Sequence, residues 1–475
     1  METRLKSEKL RAACLSAFSS RIRVVPDIEF TRLFTLRNWI SLMAAFSLFT
    51  TAFLAVAQDD STVKTYSPMN AVTNTLAAAP NDSAVNETVQ KKLLELRLGP
   101  FDLHPRLAAG LTYDDNILYS TTNREADAEW MIQPAFQAAA GDDAALIAYR
   151  DQNYDVLDLS PGNLIIQQTD LWPGKVFLLD YGPRFQIFDK YTANNCTDEF
   201  GTLNLLWPMS KLILGLKQDY QLQKLGIIEA GERATVESIS SALSAAYRIG
   251  DKTSLESNFR RVSFSYDQPG LTGYTEYNTE DWLNYEAREG LAVSLGLLAG
   301  SDSVANHQDQ TYEQLRARAR YSYTEKLAFD VYAGGESRQY ENGRPDTLSP
   351  VFTLAGEYRP AARTSLRLTG SEQQYAAIYN GYNYASTGAA LEIRQGMTDR
   401  FTAGLSAGYY SLDFTPARSA LKEYAEDYYI VRISLEAKIV RHLNGQVFYQ
   451  FLNSHTQTSH LLNDDQAGVQ LTLSF

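Results

Sequence analysis

From Pro100 to the carboxyl end the chain repeats one theme: segments of about 10 to 14 residues in which apolar and polar side chains alternate, broken by Gly, Asn, Asp and Pro. In "YEQLRARARYSY", residues 312–323, three arginines stand at alternate positions, Arg316, Arg318 and Arg320. Leu315, Ala317, Ala319, Tyr321 and Tyr323 fill the positions between and beyond them. A helix would spread those cations over a wide arc, whereas a strand sends successive side chains to opposite faces. "KVFLLDYGPRFQIF" sets Phe177, Leu179, Tyr181, Phe185 and Ile187 against Asp180, Gly182, Arg184 and Gln186. "YYIVRISLEAKI" sets Tyr429, Val431, Ile433, Leu435, Ala437 and Ile439 against Arg432, Ser434, Glu436 and Lys438. Each such segment has one apolar wall and one polar wall.

That alternation alone fits any half-buried antiparallel sheet. The spacing of the breaks narrows the choice. Short breaks fall near 249–251, 288–290, 324–325, 359–362, 396–399 and 440–442. Longer ones fall near 267–273, 300–310, 341–346, 376–381, 412–423 and 454–465. Strict alternation of tight turns with long loops is the habit of a transmembrane barrel. The chain is therefore expected to be all-β, an antiparallel up-and-down transmembrane β-barrel of about eighteen strands, within a range of about 16 to 20. The candidate pair near 144–150 and 163–170 is the least regular, because "DVLDLSPG" interrupts it. On this reading the arginines face a wet interior, since arginine in the hydrocarbon midplane costs roughly 2–4 kcal/mol.

The polar face supplies the candidate functional residues. Arg260, Arg316, Arg318, Arg320, Arg338, Arg363, Arg367 and Arg432 fall on or near inward positions, interleaved with Glu256, Glu313, Asp330, Glu336 and Glu436. Opposed rows of Arg and carboxylate either tune which solutes pass or brace the wall across strands. Tyr375, Tyr379, Tyr382 and Tyr384 suit stacking on sugar rings; an interfacial aromatic girdle is the plainer reading of most of them.

Composition adds the envelope. One long apolar run exists, "WISLMAAFSLFTTAFLAVA" at 39–57, after Arg32 and Arg37 and ending in Ala55-Val56-Ala57. A basic flank, an apolar run and an A-x-A end describe an export signal over 1–57, with an uncleaved anchor as the rival reading. The basic segment before the run is long, which points to a translation start downstream of Met1. Without 1–57 the chain carries 35 Lys/Arg against 52 Asp/Glu, a net charge of −17, which argues against nucleic-acid binding. It also keeps one cysteine, Cys196, so no intrachain disulfide can form. Residues 58–100 are small, polar and aperiodic, the texture of a flexible periplasmic tail, and the barrel occupies 101–475.

Enzyme chemistry finds no foothold. His104, His307, His442, His455 and His460 lack H-E-x-x-H spacing, and neither a G-x-S-x-G nor a Walker-type loop is present. "SHTQTSH" brings His455 and His460 near one another, without further ligands at metal-binding spacing. No cofactor and no metal is expected.

"GPFDLHPRLAAGLTYDDNILYS" and the terminal "GVQLTLSF" resemble the outer-membrane β-barrel porins, including those encoded beside exopolysaccharide genes in Gram-negative bacteria. Tyr113-Asp114-Asp115-Asn116 and the terminal aromatic carry the likeness. The resemblance implies the Gram-negative outer membrane, and a carboxy-terminal signal (Leu471, Leu473, Phe475) for the barrel-assembly machinery. The expected partners are outer-membrane lipid, that machinery, and a saccharide or other small solute. The expected function is a passive, water-filled pore. A plugged barrel for structure or surface attachment, and a membrane-embedded hydrolase, stand as the rivals.

Overall fold

The computed structural model describes residues 96–120, 122–141, 174–227, 232–268, 270–304, 309–324, 326–340, 346–376, 382–416, 422–456 and 461–474. The expected export signal, the tail to residue 95, the irregular 151–170 stretch and Phe475 lie outside these residues.

A short strand, β1 (Leu96–Leu98), precedes eighteen long ones. These are β2 (Phe101–Asp114), β3 (Asp127–Gly141), β4 (Val176–Phe188), β5 (Cys196–Pro208), β6 (Leu212–Ile227), β7 (Glu232–Arg248), β8 (Thr253–Tyr266), β9 (Tyr274–Arg288) and β10 (Leu291–Val304). The remainder are β11 (Gln310–Thr324), β12 (Leu327–Tyr340), β13 (Thr347–Ala361), β14 (Thr364–Ala376), β15 (Tyr382–Gly396), β16 (Phe401–Pro416), β17 (Tyr424–Val440), β18 (Leu443–Thr456) and β19 (Leu461–Ser474). From β2 onward each strand pairs antiparallel with the next, and β19 returns to β2 from Ser474↔Arg106 to Gln466↔Asp114, closing the ring. Closure leaves no long edge whose amides would face hydrocarbon unpaired.

β19 does not cover the whole of β2. Below Arg106 the free edge is taken by β1, which turns at Gly99 (φ +63°) and pairs Leu98 with Phe101 and Leu96 with Leu103. Residues 96–98 thus belong to the wall, a correction to the tail boundary at 100.

Tight connections lie on one rim, at 209–211, 249–252, 289–290, 325–326, 362–363, 397–400 and 441–442. Longer ones lie on the other, at 115–126, 189–195, 267–273, 305–309, 341–346, 377–381 and 417–423. All six expected short breaks coincide with turns. Three expected loops are narrower than the sequence suggested: β10 runs on to Val304, β16 to Pro416 and β18 to Thr456. There the polar side chains of "FLNSHT" continue the strand because Leu452 and Ser454 still turn inward and are buried. Three connections break the rim rule: 228–231 and 457–460, on the long-loop rim, are no longer than the turns at 249–252 and 397–400, and 142–175, between β3 and β4, is a long connection on the short-turn side.

The two faces are distinct. Leu295, Leu297, Leu315 and Ile433 project outward, each more than half exposed. Their neighbours Ser294, Arg316, Arg318 and Arg432 face inward and are buried. Outward aromatics gather towards both rims: Tyr113, Trp130, Tyr409, Tyr429 and Tyr449 towards the long loops, Trp207, Tyr247, Tyr285, Tyr323 and Tyr358 towards the short turns. Their polar ends find partners there. Trp130 Nε1 donates to Asp189 at 3.2 Å, Tyr409 Oη to Asp427 at 2.9 Å, and the Lys175 ammonium lies 4.1 Å from the Trp207 ring centroid. This is the arrangement an amphipathic ring adopts at a lipid–water boundary.

Leu297 sits mid-strand on the outer face. Leu297→Arg is expected to lower the unfolding free energy in lipid vesicles by about 2–4 kcal/mol, measured by chaotrope titration of tryptophan fluorescence.

Candidate functional site

The inner wall between β8 and β12 carries a connected ladder of charges. Register brings the rows together: Arg320 stands opposite Asp330, and Gln314 opposite Glu336. Arg320 donates from Nε and Nη2 to Asp330 Oδ2 at 3.2 and 3.0 Å. Arg316 reaches Glu280 on β9 at 2.6 Å. Arg318 passes over two strands to Glu256 on β8 at 3.0 Å and donates to Asn284 Oδ1 at 2.9 Å. Arg338 joins Glu336 at 2.6 Å and Asp302 at 3.0 Å, and its Nη2 donates to the Gln374 carbonyl of β14 at 3.3 Å. A single-strand reading of spacing could not pair these partners, because most of them lie on a strand other than the immediate neighbour.

Each of these cations except Arg320 also lies against an aromatic ring. The guanidinium carbon sits 4.8 Å from the Tyr332 centroid for Arg316, 4.2 Å from Trp282 for Arg318, and 4.6 Å from Tyr312 for Arg338. The rings need room on the inner wall, and glycine provides it. A Cβ at Gly296, opposite Trp282 in register, would stand 2.4 Å from the indole. Charge, ring and glycine therefore form one packed unit.

The other expected residues divide. Arg367 faces inward between Glu357 and Glu392 in register. Arg432 lies 4.0 Å over Phe448 and donates to Gln450 at 3.4 Å. Glu436 accepts from Arg394 at 2.9 Å, and Arg260 is buried on the inner face of β8. Two assignments need correction. Arg363 is not on the inner wall: it lies in the turn between β13 and β14 and pairs with Asp399 of the next turn, both well exposed. Glu313 faces outward, opposite Ala299 and out of phase with Gln314 and Arg316. Parity alone identifies Glu313 as outward, but the expectation followed charge instead. Leu471 and Leu473 face outward on β19.

Among the histidines, His104 faces inward opposite Gln137, His442 Nδ1 lies 3.0 Å from the Ser474 carbonyl, and His455 faces outward on β18. His307 and His460 fall outside the described residues.

Towards the long-loop rim the inner face changes character. Tyr384, Leu412, Phe414, Tyr428, Ile430, Leu452 and Leu462 form one buried apolar cluster, joined by Tyr375, Tyr382 and Tyr424. Phe414 and Tyr424 stack at 4.5 Å with their planes 4° apart. Tyr375, Tyr382 and Tyr384 therefore line the mouth rather than an outer girdle, and Tyr379 lies outside the described residues. Tyr119, in the loop after β2, packs on this cluster with φ +55°, and its ring lies on Gly226 of β6, where any Cβ would collide with it. Burial holds its phenol well above the ordinary tyrosine range. Nothing in the local sequence around Tyr119 signals this placement, since the contact joins strands far apart in the chain.

Fold and inner wall together define a transmembrane β-barrel with a charge-lined interior. No protein-family model matches the chain, and no curated protein does either. Several solved structures are similar to the chain at low identity. OpdQ of Pseudomonas aeruginosa is similar at 8% identity, with a TM-score of 0.43, over 80% of this chain and 99% of that one. OpdK of the same organism, solved with vanillate, gives 10% and 0.42 over 79% and 98%. The siderophore receptor PirA gives 9% and 0.40 over 78% and 80%. The likeness is one of architecture, and no residue role is transferred from it.

Removing one member of a buried pair strands the other charge in the wall. Arg318→Met is expected to cost about 3–5 kcal/mol, and adding Glu256→Gln to recover most of it, in a double-mutant cycle read by chaotrope unfolding.

Proposed function

We propose that the protein is an outer-membrane barrel of a Gram-negative bacterium that provides a narrow, passive, water-filled path for small polar solutes, saccharides among them. The observation that carries this reading is the asymmetry of the inner wall. The β8–β12 sector is packed with paired charges. The β14–β16 sector presents small inward side chains, Ser371, Gly388, Ala390, Gly404, Ser406 and Gly408, that are only half-buried. A solute path would run along these small side chains, beside the Tyr410 ring that lies on Gly388, and charged inner rows bias which ions enter such a path. The short-turn rim would face the periplasm and the long loops the exterior. No cofactor and no catalytic step is assigned.

A second reading, a plugged barrel without a conducting lumen, is favoured by the long-loop mouth. There Leu412 and Tyr428 are 0% exposed, so side chains fill the inner face. Planar-bilayer recording separates the two. The pore reading expects steady single-channel steps from the purified protein, and the plugged reading expects none.

In a conducting barrel, Arg316→Gln, Arg318→Gln and Arg320→Gln together are expected to shift the reversal potential in a salt gradient towards cation preference. An unchanged potential would mean the arginines only brace the wall. Tyr119→Ala is expected to raise unit conductance by opening the mouth, and an unchanged conductance would place the constriction elsewhere.

A further inference from the structure

The sequence holds two similar acidic tetrads, Tyr113-Asp114-Asp115-Asn116 and Asn463-Asp464-Asp465-Gln466. They lie 350 residues apart along the chain, yet they meet at the long-loop end of the seam, where Gln466 stands opposite Asp114 in register. The Asp115 amide donates to the Asp465 carbonyl at 3.1 Å, and the Asp465 amide donates to Asp115 Oδ1 at 2.9 Å. Asn116 Nδ2 donates to the Asn463 carbonyl at 2.9 Å.

From this juxtaposition we infer that the seam carries a divalent-cation site, held by Asp114, Asp115 and Asp464 and suited to calcium. One carboxylate oxygen from each of the three lies within 4.8 Å of the others. A second feature points to a ligand. Asp464 is 1% exposed, and its Oδ1 has no hydrogen-bond partner. Its Oδ2 takes the Gln466 amide at 2.9 Å, a group it shares with Asp114 Oδ2 at 3.2 Å, and the Asp114 carboxyl lies within hydrogen-bond reach beside it. An unpartnered oxygen in a buried carboxylate is costly to leave bare, and a bound cation would satisfy it.

The local cations do not fill this need. Arg124 is committed to Asp115 Oδ2 and Asp465 Oδ2, on the exposed flank. Arg233 acts on Asp114 through its charge alone, and its Nη2 donates to the Lys224 carbonyl at 2.9 Å. Asp114, 3% exposed, takes the Asn116 amide at 2.7 Å and otherwise faces the Asp464 carboxyl. Two buried carboxylates side by side require either a shared proton or a cation between them.

The donor set selects the ion class. Three carboxylates and no nitrogen or sulfur suit a hard cation. Calcium accepts oxygen ligands in a flexible geometry at about 2.3–2.6 Å, whereas magnesium demands a near-ideal octahedron and keeps its waters, so carboxylates drawn from strands and a loop suit calcium. Asp115 is half-buried, which leaves an approach for solvent ligands from the loop side. A cation here would clamp the first barrel strand to the last at the rim where their pairing ends. The site stands whether or not the lumen conducts.

The test uses the full-length protein, refolded in detergent micelles and stripped with a chelator, with terbium(III) as the luminescent probe. Tyr113 and Tyr449 flank the seam as sensitisers. The site predicts one terbium per chain, displaced by calcium. It also predicts that calcium at about 1 mM, the range of extracellular calcium modules, raises the temperature at which the folded band is lost in SDS gels. Both effects should vanish in Asp464→Asn and Asp114→Asn, and survive in Asp399→Asn on the opposite rim. If those seam variants fail to fold, Asp115→Asn should still weaken terbium binding about tenfold, the effect of one ligand lost. Absence of stoichiometric binding, or binding that survives Asp464→Asn, would overturn the site and leave Asp114 and Asp464 sharing a proton.

Discussion

Backbone amides and carbonyls have no solvent partner in hydrocarbon, and from that constraint the rest of this structure follows. A sheet satisfies it only by returning to its own first strand, which fixes the pairing of β19 with β2. Once the ring is closed, strand parity assigns every side chain to lipid or to the interior. The arginines of β11 then have no choice of face, because the other face is hydrocarbon. Where β19 stops short, β1 completes the edge of β2. The same rule therefore accounts for both the long ladder and its short supplement.

Closure sets the circumference, but the bore depends on what lines it. A barrel of eighteen strands encloses an aqueous channel unless side chains or loops occupy it. Here the occupation is uneven. Arg316, Arg318 and Arg338 cross to partners on other strands and lie on rings, and glycines such as Gly296 make space for those rings. Such buried pairs contribute little net stability compared with an apolar filling, yet they are costly to break singly. They hold the β8–β12 sector rigid while keeping it charged. On the pore reading, bracing and selectivity would be two consequences of one packed ladder.

The strands and most of the turns were legible in the sequence because period 2 is a local signal. Leu315 and Arg316 declare their faces from their neighbours alone, and Glu289-Gly290 marks a turn wherever it stands. The inner-wall partnerships were not legible. Arg318 and Glu256 are separated by two intervening strands, and their meeting depends on register across all of them. Arg363 misled because a cation near a break reads equally as strand or turn. The tyrosines at 375, 382 and 384 misled because rings near a strand end satisfy a girdle as well as a mouth. Parity carried through the register decides such cases, and register is a property of the closed ring.

The inner face changes from charged to apolar along its length, and that gradient gives the barrel a direction. Its middle carries Arg–carboxylate pairs, and near the long loops it presents Tyr384, Leu412, Phe414 and Tyr428. On the pore reading, apolar linings at a constriction oppose the entry of water, so the mouth would set the resistance and the charged wall the ion preference. Tyr119 stands at the apolar end. It belongs to a loop, it lies on a strand glycine, and no backbone pairing depends on its ring. Replacing that side chain therefore probes the mouth without disturbing the register that holds the wall.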